Sequence, residues 1–146
     1  MPQKIQTTTP QIIKANMKKF ITFLYATSIF LIIDYFWLTV IAYDFFQKYL
    51  GHMMRSDIIL WSALAFYLVF NFALCVFAIY PCQKTKDIKK AALLGALLGF
   101  VCYSSFDFTS YAIFKGYPIE IIAIDILWGA FLGAITAAVV VQTKHD

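Results

Sequence analysis

The sequence predicts an all-α integral membrane protein, built as a bundle of four transmembrane helices. The chain of 146 residues is 62% hydrophobic and 14% charged, whereas soluble domains average roughly 45–50% and about 25%. Its mean hydropathy is +0.75. Fifteen Phe, nine Tyr and three Trp present more apolar surface than a domain of this length could hide from water. These observations exclude an ordinary soluble domain.

Four segments reach the length of about 20 apolar residues that a hydrocarbon core of about 30 Å requires. They are predicted at residues 20–42, 58–80, 91–111 and 119–141. Helices are expected because lipid offers no water to unpaired backbone groups and four strands cannot close a barrel. Residues 1–19 are predicted to form a polar tail, and residues 142–146 a second short one.

The first connection, residues 43–57, is the longest of the three. Apolar side chains recur in it at helical spacing, namely Phe45, Phe46, Tyr49, Leu50 and Met53. This pattern predicts an amphipathic helix lying at the membrane interface, or a continuation of the first span. The third connection, residues 112–118, is predicted to be a turn because it contains Gly116 and Pro118.

The Lys and Arg residues indicate the orientation of the chain. Nine of the twelve lie in the two tails or the second connection: Lys4, Lys14, Lys18, Lys19, Lys84, Lys86, Lys89, Lys90 and Lys144. The other three, Lys48, Arg55 and Lys115, lie in the first and third connections. The positive-inside rule then predicts that both termini are cytoplasmic and that the first and third connections face outward. Because the basic residues form no stripe, no nucleic-acid partner is expected, and the lipid bilayer is the expected environment.

Three acidic residues lie inside the predicted spans: Asp34, Asp107 and Asp125. Each costs about 2.5–3.5 kcal/mol on insertion scales, so each is a candidate functional group. At about 1.5 Å per residue, all three fall within about one helical turn of each other in the outer half of the bilayer. The sequence therefore predicts a layer of carboxyl groups.

No Lys or Arg within the spans neutralises this layer. Three ionised carboxylates in one dry site would repel, so three arrangements remain open. In the first, at least one carboxyl is protonated at neutral pH and the three titrate as a coupled set. In the second, a cation fills the site. In the third, Lys115, Arg55 or His52 folds in from the outer connections. A separate alternative is that the acids only fix helix register by hydrogen bonding and bind nothing.

Small residues recur every four positions in the last two spans. The third span has Ala91, Gly95, Gly99, Tyr103 and Asp107, and the fourth has Asp125, Gly129, Gly133 and Ala137. Such stripes predict that these two helices pack closely in their cytoplasmic halves and open around the acids. The spacing D-x-x-W occurs twice, so each indole N–H is expected near its own carboxylate or a neighbour's. The predicted ligand or proton site is therefore Asp34, Asp107 and Asp125, surrounded by Tyr103, Trp37, Trp128 and Thr109.

The arrangement D-x-x-W-L, then Y-x-x-x-D-x-T, then P followed by D-x-x-W-G resembles a family of small bacterial four-helix membrane proteins. That family is classed as a domain of unknown function (number twenty-one seventy-seven). The resemblance runs from about residue 19 to residue 141 and rests on Asp34, Trp37, Leu38, Leu50, Gly51, Tyr103, Asp107, Thr109, Pro118, Asp125, Trp128 and Gly129. The chain departs from the family at Ser110, where the family favours Asn. The resemblance implies the four-helix fold, a bacterial inner-membrane location and the importance of the acids, and no activity.

Three functions remain open from the sequence. The favoured one is a transporter, permease-like protein or sensor that binds a proton, a cation or a small amphiphile, with a homodimer expected to complete any pathway. The second is an enzyme, or enzyme subunit, acting on membrane lipids through acid–base carboxyl pairs. The third is a structural accessory subunit of a larger membrane complex. The three Cys form no C-x-x-C pair, and neither a metal nor another cofactor is expected.

Overall fold

The computed structural model describes residues 9–143 of the chain. These residues form six α-helices, in order α1 Thr9–Phe36, α2 Tyr43–Leu50, α3 Leu60–Leu74, α4 Tyr80–Gln83, α5 Ile88–Ile113 and α6 Ile119–Thr143. Four stretches are long and apolar enough to cross a membrane: Thr9–Ile41 (span 1), Leu60–Gln83 (span 2), Ile88–Ile113 (span 3) and Ile119–Thr143 (span 4). Because no strand occurs within the described residues, the predicted all-α membrane bundle is confirmed.

The first helix starts earlier than the apolar run from which the sequence placed the first span. α1 begins at Thr9, so residues 9–19 of the predicted polar tail are helical. Apolar residues such as Ile12, Ile13 and Met17 alternate there with lysines, which have a high helix propensity. No Gly or Pro lies between residues 11 and 19, so the helix can extend back through this segment. The predicted tails at residues 1–8 and 144–146 lie outside the described residues. We call the end of the bundle that carries Thr143 the terminal end, and the opposite end the α2 end.

Two π-helical segments interrupt the α-helical hydrogen bonding of spans 1 and 2. The segment Cys75–Ile79 lies just before Pro81, with the Tyr80 N–H bonded to the Cys75 carbonyl. A proline has no N–H to donate, so the helix rearranges at the turn that precedes it. The segment Trp37–Ile41 closes span 1 through a 2.8 Å bond from the Ala42 N–H to the Trp37 carbonyl. α2 begins directly after it, where the sequence predicts a helix.

Spans 3 and 4 pack closely along their glycines, as the small-residue stripes predict. A Cβ atom on Gly99 would overlap the carbonyl oxygen of Gly129, and one on Gly95 would overlap that of Gly133. Hydrogen in place of a side chain lets the two backbones touch, which is how helices associate in lipid. Toward the α2 end, the ring of Tyr103 lies against Gly129. The carboxyl groups of the two spans lie beyond this ring.

Two apolar clusters complete the bundle. The larger one joins all four spans in the terminal half, with Phe30, Leu74, Ile79, Leu132 and Val140 fully buried. The smaller one lies at the α2 end, where α2 packs on the start of α6. The candidate site lies between these clusters.

Candidate functional site

The Asp34 carboxylate joins three of the four spans. Asp34 is 4% exposed and lies near the end of α1. Its Oδ2 accepts a hydrogen bond of 2.7 Å from Tyr67 Oη of α3, and its Oδ1 accepts one of 2.8 Å from Trp128 Nε1 of α6. Hydrogen bonds to an ionised acceptor are roughly twice as strong as neutral ones. We call Asp34, Tyr67 and Trp128 the Asp34 junction, since these three residues hold spans 1, 2 and 4 at one level.

The two D-x-x-W tryptophans stack on each other. The rings of Trp37 and Trp128 lie 4.2 Å apart between centroids and 9° from parallel. The Trp128 indole donates to Asp34, a neighbour's carboxylate, rather than to Asp125 of its own helix. The Trp37 indole N–H is buried and has no acceptor among the described residues. Trp37 therefore contributes ring packing that supports Trp128.

A second acidic group is formed by Asp107 of span 3 and Asp125 of span 4, here called the carboxyl pair. Asp107 is 0% exposed, and its Oδ1 accepts a 2.7 Å hydrogen bond from Tyr117 Oη. Its Oδ2 receives no donor from any described residue. The Asp125 carboxyl lies within hydrogen-bonding reach of Asp107. Two carboxylates can only accept, so a bond between them requires a proton on one of the two.

Tyr117 reaches the carboxyl pair from the turn between α5 and α6. Gly116 adopts a φ of 80°, a left-handed conformation that glycine tolerates, and the chain then places Tyr117 inward. Burial raises the pKa of the Tyr117 phenol far above its usual range, and its hydrogen bond to Asp107 adds to the shift. Tyr117 packs in the apolar cluster with Phe45 and Phe46 of α2. α2 therefore covers Tyr117, the residue that donates to Asp107 of the carboxyl pair.

Asp125 lies within electrostatic range of both Asp34 and Asp107. The basic residues of the first and third connections do not reach these carboxyl groups. Arg55 forms a 3.0 Å ion pair with Asp57, and both side chains are well exposed. Lys115 and His52 are also exposed. Among the described residues, no Lys or Arg pairs with a carboxyl of the site, so the arrangement with a folded-in basic side chain is not the one found.

The remaining residues of the predicted site have different environments. Tyr103 interacts electrostatically with Asp34 of the junction and with Asp125 of the carboxyl pair. Thr109 is exposed, and its hydroxyl donates to the Ser105 carbonyl of its own helix. Thr109 therefore points away from the acids. Within residues 9–143, no cluster of three His, Cys, Asp or Glu has the form of a metal site.

A cleft that includes Asp125 of the carboxyl pair in its lining opens on the side of the bundle. It lies between α3 and α5 and encloses about 600 Å³. We call it the lateral cleft, and its lining is Phe66, Val69, Phe70, Ala73, Val101, Cys102, Tyr103, Ser105, Phe106 and Asp125. α5 contacts span 2 through the π segment Cys75–Ile79, whereas α3 diverges from α5. Asp125 is the charged residue among the described residues of this lining.

Two hydrogen-bond donors of the site were not among the residues predicted for it. Tyr67 lies at the depth of Asp34, and the sequence shows this depth, but it does not show which face of the helix meets span 1. Tyr117 lies in a turn outside the spans, between Gly116 and Pro118. A tyrosine held between these two turn-forming residues, close in sequence to two intramembrane acids, is the signal that could have identified it.

Comparisons with known proteins identify a family. A family model described as "Predicted membrane protein (DUF2177)" matches residues 19–142. The match extends over both acidic groups and the lateral cleft, and it confirms the resemblance found in the sequence motifs. No curated protein and no solved structure matches the chain.

Proposed function

We propose that this chain, which belongs to the DUF2177 family of predicted membrane proteins, binds a small cationic amphiphile at Asp125 and releases a proton when it does so. The observation that carries this proposal is the lateral cleft, whose lining is mostly apolar and includes the carboxyl group of Asp125. An amphiphile with an apolar body and one positive charge has the matching distribution of surface and charge.

The walls of the cleft favour a ligand that arrives from the lipid. Val69, Phe106 and Val101 line it and are at least half exposed on the surface of the bundle. In a membrane these side chains face acyl chains, so a molecule dissolved in the bilayer reaches the cleft by lateral diffusion. A strongly hydrated ion has no comparable route along this surface, because shedding its water in lipid is costly.

The carboxyl pair supplies the charge for binding. Asp107 and Asp125 are within hydrogen-bonding reach, and two carboxylates in contact in a water-poor site do not both ionise. In the empty site the pair therefore shares one proton. A bound cation beside Asp125 takes over the role of that proton and stabilises the second negative charge. The Asp34 carboxylate already has two donors, so we assign it to holding the spans together.

The binding test uses tetraphenylphosphonium, an apolar cation, and purified protein in nanodiscs of phosphatidylcholine. We expect saturable binding to the wild type, weakened about a hundredfold or more by Asp125→Asn. Asp44→Asn is the matched control, because Asp44 is an exposed acid at the same end of the bundle. Tetraphenylborate, which has the same shape and the opposite charge, should not bind. A weakly buffered sample should release one proton per bound cation.

A second variant tests the cleft with the carboxyl group intact. Ala73 lines the cleft, so Ala73→Trp should fill it and abolish binding, whereas Leu93→Trp on the lipid-facing surface of α5 should not. Wild-type protein that binds no tetraphenylphosphonium would overturn the proposal, and so would equal binding by Asp125→Asn or Ala73→Trp.

The orientation proposed with this function places the α2 end on the non-cytoplasmic side of the inner membrane. The lysines of the second connection and of the start of α1 lie toward the terminal end, which the positive-inside rule assigns to the cytoplasm. In a chain without its native cysteines, Lys115→Cys should react with an impermeant maleimide in intact cells. Lys89→Cys should react only after the membrane is opened, and the reverse pattern would contradict this orientation.

Transport, as distinct from binding, is proposed to require a homodimer, because the described residues of one copy form four spans. Mass photometry of nanodiscs at low protein density should then detect particles with two copies. Particles that contain one copy and still transport tetraphenylphosphonium after reconstitution would contradict this part of the proposal.

A further inference from the structure

A basic pocket lies at the terminal end of the bundle, far from the carboxyl groups. It encloses about 510 Å³ between the first turns of α1 and the end of span 2. Four lysines line it, three from α1 and one after α4: Lys14, Lys18, Lys19 and Lys84. Gln83, which is 6% exposed, adds an amide to the wall. Among the described residues of this lining, none is acidic, so the positive charge of the pocket is not compensated.

An apolar groove continues from this pocket along the surface of the bundle. The groove encloses about 640 Å³, and Phe20, Phe23, Phe72 and Val76 form its walls. Lys19 and Tyr80 line both the pocket and the groove. Tyr80 Oη donates a 2.9 Å hydrogen bond to the Lys19 carbonyl, and the Lys19 ammonium lies 5.7 Å from the centre of the Tyr80 ring. These contacts tie spans 1 and 2 together at the point where charged and apolar walls meet.

We infer that the pocket and groove together bind one anionic phospholipid. The phosphate and any second acidic group of its head would lie among the lysines, and an acyl chain would lie along the phenylalanines. Both parts contribute to binding. A soluble anion would not fill the apolar groove, and a neutral lipid would bring no net negative charge to the four ammonium groups. This inference is independent of the function proposed for the lateral cleft.

The position of the lysines distinguishes a bound lipid from general attraction to an anionic surface. Lys86, Lys89 and Lys90 belong to the same terminal end and are exposed, yet they do not line the pocket. Attraction to the surface as a whole depends on the total number of charges. Binding of one lipid in the pocket depends instead on the four lysines that line it. Removing lysines inside and outside the pocket therefore distinguishes the two cases.

The experiment is native mass spectrometry of delipidated full-length protein in a neutral glycoside detergent, titrated with phosphatidylglycerol or phosphatidylcholine. We compare the triple variant Lys14→Gln, Lys18→Gln, Lys84→Gln with the matched triple variant Lys86→Gln, Lys89→Gln, Lys90→Gln. Each variant removes three positive charges from exposed positions of the same end. We expect one tightly bound phosphatidylglycerol on the wild type, weakened about a hundredfold in the first variant and within about twofold of wild type in the second.

A further variant tests the groove. Val76→Trp should weaken phosphatidylglycerol binding by obstructing the acyl chain, with all lysines in place. Soluble glycerophosphoglycerol, which has the head and no acyl chains, should compete only weakly. The inference is overturned by equal losses in the two lysine variants, by equal binding of phosphatidylglycerol and phosphatidylcholine, or by glycerophosphoglycerol binding as tightly as the lipid.

Discussion

Replacing Asp34 by Asn tests whether the Asp34 junction holds the bundle together. The carboxylate accepts one hydrogen bond from Tyr67 and one from Trp128, donors that belong to two other spans. An amide has nearly the same shape, but it has one oxygen and one NH2 group. Its oxygen can accept from the Trp128 indole, and its NH2 group can donate to Tyr67 Oη, because a phenol oxygen also accepts. The change therefore replaces both hydrogen bonds with neutral ones, reverses the one to Tyr67, and leaves the second amide hydrogen buried without an acceptor.

The magnitude follows from these losses. A hydrogen bond to a charged group contributes about 1.5–3 kcal/mol in soluble proteins, whereas double-mutant cycles between transmembrane helices average about 0.6 and reach about 1.7 kcal/mol. Asp34 is buried and accepts a hydrogen bond at each carboxyl oxygen, so the upper part of the membrane range applies. We expect Asp34→Asn to lower the free energy of unfolding by about 1–3 kcal/mol and its coupling to Tyr67 to be about 0.5–1.5 kcal/mol.

The assay is equilibrium unfolding in mixed micelles, with SDS as the denaturant and far-UV circular dichroism as the signal. The cycle comprises wild type, Asp34→Asn, Tyr67→Phe and the double variant, so that general effects of each substitution cancel. Asp44→Asn serves as the charge control and should change stability by less than about 0.5 kcal/mol. Coupling near zero together with an unchanged stability of Asp34→Asn would refute the reasoning, and Asp34 would then belong with the carboxyl pair as a candidate functional group.

Two further predictions concern packing and the α2 end. Gly99→Ala should lower the free energy of unfolding by about 1–3 kcal/mol, because the added methyl group would overlap the Gly129 carbonyl. The control Ser105→Ala, on the exposed face of α5, should change it by under about 0.5 kcal/mol. Equal effects of the two substitutions in SDS unfolding would refute the close approach of the two helices. The pKa of Tyr117 is raised on folding, so the stability it contributes is complete below about pH 10 and falls as the pH rises further. The unfolding free energy of Tyr117→Phe should therefore decline less steeply between pH 10 and 11, and an identical slope in both proteins would contradict the burial of this phenol.

The sequence predicted the features that depend on one helix at a time. The length and apolarity of four segments predicted four spans, because backbone groups in lipid must be paired within a helix. The four-residue spacing of Gly95 and Gly99 predicted the face that packs against span 4, and the structure confirms this contact. The rise per residue predicted that the three intramembrane acids lie at similar depths, and Asp125 is within electrostatic range of both Asp34 and Asp107.

The tertiary structure decided which groups meet at that depth. Periodicity defines a residue's height and its face on its own helix, but packing between helices defines the neighbour toward which that face turns. For this reason Trp128 donates to Asp34 rather than to Asp125 of its own helix, and Tyr67 is the second donor. Tyr117 reaches Asp107 because the left-handed turn at Gly116 folds it inward, a conformation that the local sequence permits but does not require. The lateral cleft exists because α3 diverges from α5, and the angle between two helices is set by how their side chains pack together.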